Sequence, residues 1–503
     1  MKQVPKVTPV LAAITVPIAL FAALVAWGFS SPVGSSPDDD YHMASIWCGA
    51  GLREGLCEKG DKPDERRVPA TLLEYSGCYA FKPTASADCA QKPSSVLVNT
   101  SRGNFNASYP PLFYGALSIF ASADVASSIL LMRAANALLF TSVLTALFFA
   151  LRPGSRGPLL WSGLATIVPL GMFLIPSVNP SSWAVMSAMG LWIALTALWR
   201  ERARNRLILL GTLAVAMLLA ASGARSDAAA YSATAAVIAV VLSLPTKWKN
   251  RRNLVLLAAS VGAVIVAAAF FSSSGQSSVL SLNTTPDVQR NLPDTIALAL
   301  ANLVLLPELW AGALGTSGLG WLDTKLPGSV WVPTLLVFAG LLFWGLKVMT
   351  KRKAVSLILL LLGLIAVPLY VLVKDNVMVG AGVQPRYVLP LIIIFIGVAL
   401  FGFASDNLGL SRLQGVIVGV LLVVANTVAL HTNIRRYVTG IDRQGANLDS
   451  QAEWWWQGTL SPMGTWTVGV LAFAIAMAGL VAYMARQDRI LLEDLPIRDS
   501  VPR

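Results

Sequence analysis

Charged side chains are scarce in this sequence. They make up 13% of its 503 residues, against about 25% in ordinary soluble domains. Hydrophobic residues make up 55%, and the mean hydropathy is +0.65. This composition excludes a typical soluble globular protein and predicts a polytopic membrane protein. The net charge of +12 does not predict a nucleic-acid partner, because the basic residues fall in short clusters between apolar runs.

Twelve apolar runs have the length needed to cross a bilayer. They lie near residues 8–29, 126–150, 158–175, 181–199, 206–222, 228–244, 254–271, 330–348, 354–373, 387–403, 412–430 and 464–484. The first run could be a signal peptide, but it is long and no small-residue cleavage pattern follows a short apolar core, so an anchor is favoured.

The basic clusters predict the orientation of these spans. Lys and Arg concentrate near both ends of the sequence and in alternate connections, which is typical of cytoplasmic segments. Both termini are therefore predicted to be cytoplasmic, and the long loop 31–125 is predicted to lie outside the cell. A further apolar stretch at 294–312 would, as a thirteenth span, place the basic connections before and after it on opposite sides. We expect it to enter and leave from the outer side, or to lie along the surface.

Cysteine is rare and confined to one place. The four residues Cys48, Cys57, Cys78 and Cys89 all lie in the first long loop. An even number in an extracytoplasmic segment predicts two disulfides. Three connectivities remain open, of which the local pairing of Cys48 with Cys57 and Cys78 with Cys89 is favoured. A zinc site is disfavoured because no CxxC spacing is present.

These expectations divide the chain into eight segments. They are an anchor at 1–30, the acidic and cysteine-bearing outer loop at 31–125, spans two to seven at 126–271, a second outer loop with the re-entrant stretch at 272–329, spans eight to eleven at 330–430, a third outer loop at 431–463, the last span at 464–485 and a cytoplasmic tail at 486–503.

Histidine is almost absent, yet one of the two histidines, His42, follows Asp38, Asp39 and Asp40 just beyond the first span. Pro37 followed by acidic residues suits a solvated helix start. The alternative is a catalytic carboxylate that activates a hydroxyl as a base or through a metal. On a helix, Asp38 and His42 would share a face, whereas Asp39 would point elsewhere.

Other polar and aromatic residues are predicted to collect on the outer side. Arg386, followed by Tyr387, begins a span at its outer end and could bind a phosphate; the alternative is an interfacial snorkelling arginine with a belt tyrosine. Arg225 and Asp227 could simply pair. The Trp454–Trp456 run suits an interfacial anchor or a sugar-stacking surface, and His431 is interpreted as structural.

Four stretches resemble a bacterial family of integral membrane proteins known as domain of unknown function 2142. They are "PDDDYH" after the first span, "YPPLFY", "GWLDTKLP" and "QPRYVLP". The sequence departs from the family pattern at Asp39, where glutamate is expected, and at Asp40, where proline is common.

The resemblance implies an all-α architecture of about twelve spans similar to the GT-C glycosyltransferases, which take sugar from a polyprenyl-phosphate donor. It implies Asp38 or Asp39 as base or metal-linked carboxylate, with support from Asp40, His42 and Asp323, the last of which could instead cap a turn. Arg386 and Tyr387 would hold the lipid phosphate. Acceptor or donor contacts are expected from Tyr109, Trp321 and Trp455.

The sequence therefore predicts an envelope glycosyltransferase acting on an extracytoplasmic glycan or lipid acceptor. A divalent cation (Mg, Mn or Ca) is an open cofactor, and membrane lipids are expected partners. A transporter or flippase of a lipid-linked saccharide is the main alternative, but no clear mid-span ionisable group or internal repeat favours it. A structural scaffold is a third possibility. No nucleotide site is expected, because no glycine-rich phosphate loop is found.

Overall fold

The computed structural model describes residues 9–90, 96–245, 248–273, 275 and 292–493. Most of these residues are helical. The α-helices are Pro9–Phe29, Asp39–Trp47, Thr71–Glu74, Leu112–Leu117, Val125–Ala150, Arg156–Thr166, Met172–Leu174, Ser181–Arg200, Arg204–Ser222, Ser226–Ser243, Arg251–Ser273, Leu292–Ala311, Gly328–Gly345, Lys351–Lys374, Pro385–Ala399, Arg412–Val438 and Pro462–Glu493. Single turns of 3-10 helix occupy Ser76–Cys78, Ala87–Cys89 and Ser118–Phe120, and π-helical turns occupy Ile167–Gly171 and Gly312–Thr316.

Apolar helices of membrane-spanning length dominate the fold. Eleven helical segments of the described chain are long and apolar enough to cross a bilayer, and two shorter apolar helices, Ala13–Phe29 and Pro385–Ala399, add to them. Their outward faces carry large apolar side chains such as Val304 and Phe343, which are more than three quarters exposed. The prediction of an all-α polytopic membrane protein is confirmed.

The first long loop contains a small sheet and both disulfides. Strands Glu58–Lys59, Arg66–Pro69 and Leu97–Thr100 form an antiparallel sheet in chain order. Cys48 bonds to Cys57 and Cys78 to Cys89, which is the local pairing that was favoured. We call the side of the molecule that carries this loop the disulfide face.

Hydrogen bonds among the basic connections place them together on the other side, which we call the basic face. Arg152 pairs with Glu201 (2.6 Å), Arg252 donates to the Trp199 carbonyl (3.1 Å), Lys353 donates to the Phe401 carbonyl (2.9 Å), and the Gly154 N–H donates to Asp406 (2.8 Å). These connections therefore lie on the same face, as the alternation of basic loops along the sequence predicts.

The apolar helix Leu292–Ala311, which we call the re-entrant helix, does not run from one face to the other. Asn302 bonds to the backbone of Val377 and Val379, just past the disulfide-face end of helix Lys351–Lys374. Eight residues later, Trp310 donates to the carbonyl of Leu364, only about halfway along that helix. The chain then turns through Gly312–Thr316 and returns to the disulfide face. Length and hydropathy alone would count this helix as a span.

The first and last spans pack against each other along their length. A Cβ added at Gly479 would lie 2.5 Å from Val16, and one at Gly469 would lie 2.8 Å from Ala26. Such close approach is typical of helix interfaces in membranes, where small residues let the backbones meet. The ends of the described chain therefore lie side by side.

Candidate active site at the disulfide face

One buried arginine hydrogen-bonds to the short segment between the first span and helix Asp39–Trp47. Arg133, on span Val125–Ala150, is 3% exposed and donates to the carbonyls of Gly28, Ser31 and Pro32 and to the Ser35 hydroxyl, at 2.6–3.1 Å. Four acceptors satisfy a buried guanidinium without a carboxylate. The acidic residues that follow are thereby held at the end of the span.

Asp38 lies at the junction between this segment and the helix. Its φ of 61° is in the left-handed region, and its side chain makes no cap hydrogen bond. Helix capping by the Asp38 side chain is therefore not observed, although Asp39 and Asp40 do lie in the first turn. Strained backbone of this kind is concentrated at functional sites. The carboxylate is left available for other partners.

Two arginines bind the Asp38 carboxylate. Arg386 Nη2 lies 2.6 Å from Oδ2, and Arg102 Nη2 lies 3.4 Å from Oδ1. Arg386 is 4% exposed and also donates to the Pro37 carbonyl (3.0 Å), whereas Arg102 is half exposed and pairs with Asp40 as well. Burial alone would raise the pKa of Asp38, but the charge of Arg386, with smaller effects of His42 and Arg102, lowers it below its usual value.

Asp39 lies in a different environment from Asp38. It is fully buried, its Oδ2 accepts from the Ser36 N–H at 2.9 Å, and its Oδ1 has no partner among the described residues. Burial raises its pKa to about 7. Asp38 is therefore the acidic residue of this pair that solvent can reach, and Asp39 is part of the protein interior.

His42 is enclosed by aromatic residues one turn after Asp38. Its Nδ1 lies 3.0 Å from the Tyr114 hydroxyl, and the rings of Tyr41 and Tyr109 contact its ring edge to face. Burial lowers the pKa of His42 to about 3, against the opposing charge of Asp38. The imidazole is therefore neutral at physiological pH and acts as a hydrogen-bonding group.

A second arginine–aspartate pair adjoins the first. Arg225 binds both oxygens of Asp227 at 2.7 and 2.9 Å, which fulfils the simpler expectation for these residues. Its guanidinium also lies 4.8 Å from the centre of the Tyr387 ring, and Arg386 lies 4.9 Å from the same ring. The Tyr387 hydroxyl accepts a further bond from Arg386 at 2.9 Å. Two buried cations thus converge on one tyrosine beside Asp38.

A small open cavity, with about 10 Å³ of space for water, lies next to Arg386. Its walls are largely apolar, from Leu170, Phe173 and Leu174 at the kinked end of one span and from Leu319 and Leu322 in and just before the GWLDT segment. Two buried polar atoms of its lining residues, Nε of Arg386 and Oε1 of Gln384, have no partner among the described residues. Buried polar groups are normally paired. The cavity therefore has largely apolar walls and lies beside two polar groups that lack partners among the described residues.

Asp323 belongs to a different cluster. Its Oδ2 accepts from Arg436 at 2.8 Å and from the Phe81 N–H at 3.1 Å, and both ionic side chains are almost completely buried. Trp321 donates from Nε1 to the Gly34 carbonyl. Trp455 packs at the Trp454–Trp456 run and donates to the Leu460 carbonyl. Of the predicted site residues, Asp38, Asp40, His42, Tyr109, Arg386 and Tyr387 are brought together, whereas Asp323 and Trp455 make other contacts.

The residues around Asp38 do not suit a divalent cation. No group of three or more His, Cys, Asp or Glu side chains that could hold a metal occurs in the part of the chain that the structure describes. The Asp38 carboxylate faces two guanidinium groups instead. Two guanidinium groups within 3.4 Å of the carboxylate repel a cation, so the residues present do not fit a divalent metal.

Several residues of the site carry no recognisable sequence signal. Arg102 is an isolated arginine in a long polar loop and Arg133 lies among apolar or small residues, whereas Gln384 begins the QPRYVLP stretch already singled out. Tyr114 could have been identified, because it closes the YPPLFY stretch already singled out. Arg225 was expected on the outer side from the span alternation, but its contact with the Tyr387 ring beside Arg386 was not predicted.

The comparisons with known proteins bear on the fold and leave the chemistry open. The model of the family described as "Predicted membrane protein (DUF2142)" matches residues 21–395, roughly three quarters of the chain. The chain belongs to this family. The matched region contains the acidic segment, the re-entrant helix and Arg386, and ends before the last two long helices. Searches of curated proteins and of solved structures give no significant match.

Proposed function

We propose that this family member is a cell-envelope glycosyltransferase that moves a sugar from a polyprenyl-phosphate donor to an extracytoplasmic glycan or lipid acceptor. In this proposal the disulfide face lies outside the cell and both termini lie in the cytoplasm. The proposal rests chiefly on the contact of Asp38 with Arg386 beside an apolar-walled cavity. Transfer from a lipid phosphate requires a base for the acceptor hydroxyl, a cation for the phosphate and apolar contacts for the lipid.

The donor phosphate would bind at Arg386. Its unpartnered Nε can donate to a phosphate oxygen without breaking the bonds to Pro37 and Tyr387. The apolar walls at Leu170, Phe173 and Leu174 would contact the first isoprene units, which cannot be buried against polar groups at low cost. Gln384 would supply a further polar contact to the head group.

Asp38 would act as the general base. The acceptor hydroxyl attacks the anomeric carbon of the donor, its proton passes to Asp38, and the bond from that carbon to the phosphate oxygen breaks. The phosphate leaves with the bonding electrons and is stabilised by Arg386. The low pKa of Asp38 makes it a weak base while Arg386 is unneutralised. Phosphate binding would offset the charge of Arg386 and raise the pKa of Asp38, so that the base becomes stronger when donor is present.

The test uses purified protein in lipid nanodiscs with a panel of radiolabelled polyprenyl-phosphate sugars and envelope acceptors. We expect wild type to consume one donor, and Arg386→Gln to raise the KM for that donor about 10-fold to 100-fold through loss of a charge-assisted bond. Arg102→Gln is the matched control, because it also removes an arginine from Asp38 but lies on the exposed side. We expect its donor KM to stay within about threefold of wild type, the effect of a solvent-screened pair.

Transport of an intact lipid-linked saccharide would give a different result. The purified protein, reconstituted into vesicles instead of nanodiscs, would then move the donor between leaflets without releasing the sugar of the donor. That outcome would replace the transferase by the flippase. Full donor consumption by Arg386→Gln at unchanged KM would also contradict the proposed phosphate site.

A further inference from the structure

An exposed phenylalanine is held in an unfavourable conformation on the disulfide face. Phe81 is 70% exposed and has a φ of 61°, in the left-handed region that a β-carbon disfavours. Single exposed apolar residues are common and need no explanation. A strained backbone that presents such a residue is uncommon, and it persists only where neighbouring structure imposes it.

Buried polar contacts impose this conformation. The Phe81 N–H donates to Asp323 Oδ2 (3.1 Å), which also pairs with Arg436 (2.8 Å). Arg436 is fully buried and donates to the carbonyls of Tyr79 and Ala85, on both sides of Phe81 in the loop. The disulfide between Cys78 and Cys89 closes the same loop. These hydrogen bonds and the disulfide hold the backbone of Phe81 in place.

Trp321 completes an aromatic pair with Phe81. The two ring centres lie 5.4 Å apart with an interplanar angle of 62°, and Trp321 is held by its bond to the Gly34 carbonyl (2.9 Å). Its neighbours Gly320 and Leu322 line the cavity beside Arg386, and Leu322 is itself in the left-handed region with a φ of 63°. The aromatic pair therefore adjoins the cavity on the side of the disulfide loop.

We infer that Phe81 and Trp321 form a platform for one sugar ring of a glycan acceptor. The inference rests on the proposed function, since it assigns the acceptor for the same site. Sugar rings present a face of C–H bonds that carry partial positive charge, which complements the negative face of an aromatic ring. A pre-organised ring binds such a flat ligand with little loss of conformational entropy.

The surroundings favour a sugar over a lipid surface. Lys82, which follows Phe81, and Lys325, which lies a few residues beyond Trp321, are exposed and charged, so the two rings form a small apolar island. A membrane anchor or a protein interface would require a larger continuous apolar patch. One or two rings bordered by hydrogen-bonding groups match the size and polarity of a saccharide unit.

The experiment measures binding of soluble oligosaccharides, namely short mannan, arabinan, galactan and β-glucan fragments, to the full-length protein in nanodiscs. Binding is followed by the change in tryptophan fluorescence when a fragment is added. The part of this change that is missing in Trp321→Phe is the contribution of Trp321. We expect one fragment to bind, and Phe81→Gly to weaken it about 5-fold to 10-fold, as loss of one aromatic contact does. Glycine adopts a positive φ without strain, so this variant should fold at least as stably.

Two further variants separate the outcomes. Phe81→Tyr keeps the ring and should bind as wild type does. Leu52→Ala removes an apolar side chain that is 60% exposed elsewhere in the first long loop, between Cys48 and Cys57, and it should leave binding unchanged. The platform is refuted if no fragment binds wild type, or if Phe81→Gly binds as tightly as wild type. Quenching of the Trp321 signal by brominated phosphatidylcholine would show a membrane anchor and would equally overturn it.

Because this measurement needs no donor, its failure is distinguishable from failure of the proposed transfer. Oligosaccharide binding without sugar transfer would retain the platform and remove the transferase. Transfer that is unaffected by Phe81→Gly, with no oligosaccharide binding, would retain the transferase and remove the platform.

Discussion

Replacement of Asp38 by asparagine tests the core of the proposed chemistry. The substitution keeps the size of the side chain but removes the charge and the ability to accept a proton. Arg386, which is 4% exposed, then loses its ionic partner while it keeps its bonds to the Pro37 carbonyl and the Tyr387 hydroxyl. The effects on stability and on rate differ in size and can be measured separately.

The stability cost of Asp38→Asn should be intermediate. Removing one partner of a fully buried ion pair costs about 3–5 kcal/mol, whereas exposed pairs contribute about 0–1 kcal/mol. Asp38 is 41% exposed, so solvent partly compensates for the lost charge. We expect a decrease of about 1–3 kcal/mol in the free energy of unfolding, measured by denaturation in detergent.

The effect on rate should be much larger. Loss of a general base lowers turnover about 100-fold to 10,000-fold. The KM for donor should stay constant or fall, because Arg386 no longer pairs with a competing carboxylate. The assay is initial-rate transfer at saturating acceptor, with donor concentration varied. A split of this kind, with kcat reduced and KM preserved, separates lost chemistry from lost binding.

Asp40→Asn is the matched control for this prediction. Asp40 lies in the first turn of the helix that follows Asp38 and pairs with Arg102. In the described structure Arg386 pairs with Asp38 and not with Asp40. Its variant should retain kcat within a few-fold. If Asp38→Asn transfers sugar at the wild-type rate, or if Asp40→Asn loses as much activity, Asp38 is not the base and the assignment fails.

Three further experiments test other parts of the structure. Arg386→Gln removes the main charge that lowers the pKa of Asp38, so the acidic limb of its pH–rate profile should move to higher pH; an unmoved limb would contradict the pairing. Asp39 binds a proton more tightly in the folded protein, because burial raises its pKa from 3.8 to about 7. Stability should therefore fall as pH rises between these two pKa values, by about 1.4 kcal/mol per pH unit, and Asp39→Asn should abolish the fall in pH-dependent denaturation curves. All four native cysteines are in disulfides, so single cysteines can be labelled with an impermeant thiol reagent: Lys249→Cys and Met349→Cys, which lie before and after the re-entrant helix, should react from the same side, and reaction from opposite sides would contradict the re-entrant helix.

The spans and their alternation could be predicted because apolar length and basic loops are direct physical requirements of a bilayer. The re-entrant helix was expected at 294–312 on the count of basic loops, and the bonds of Asn302 and Trp310 show the geometry behind it. Two disulfides could be predicted from an even number of cysteines in one outer loop, whereas the local pairing was only the favoured one of three connectivities. These features depend on local sequence or on simple counting.

The separation of Asp38 from Asp39 could be predicted only in part. A helix starting near Pro37 implied that the two carboxylates diverge, but which of them is buried depends on residues distant in the chain, such as Arg133 and Arg386. The role of Asp323 shows the same limit: its partner Arg436 is 113 residues away. Long-range ion pairs of this kind have no periodic signature in the sequence.

The packing of the first span on the last has a consequence for biosynthesis. Helix Pro9–Phe29 emerges from the ribosome early, yet the surface that receives Gly469 and Gly479 stays uncovered until helix Pro462–Glu493 has been inserted. The early span must therefore wait in the lipid, or beside the insertion machinery, while all the intervening helices assemble. A chain that stops before helix Pro462–Glu493 would leave that contact open, and the uncovered face of helix Pro9–Phe29 would remain exposed to lipid.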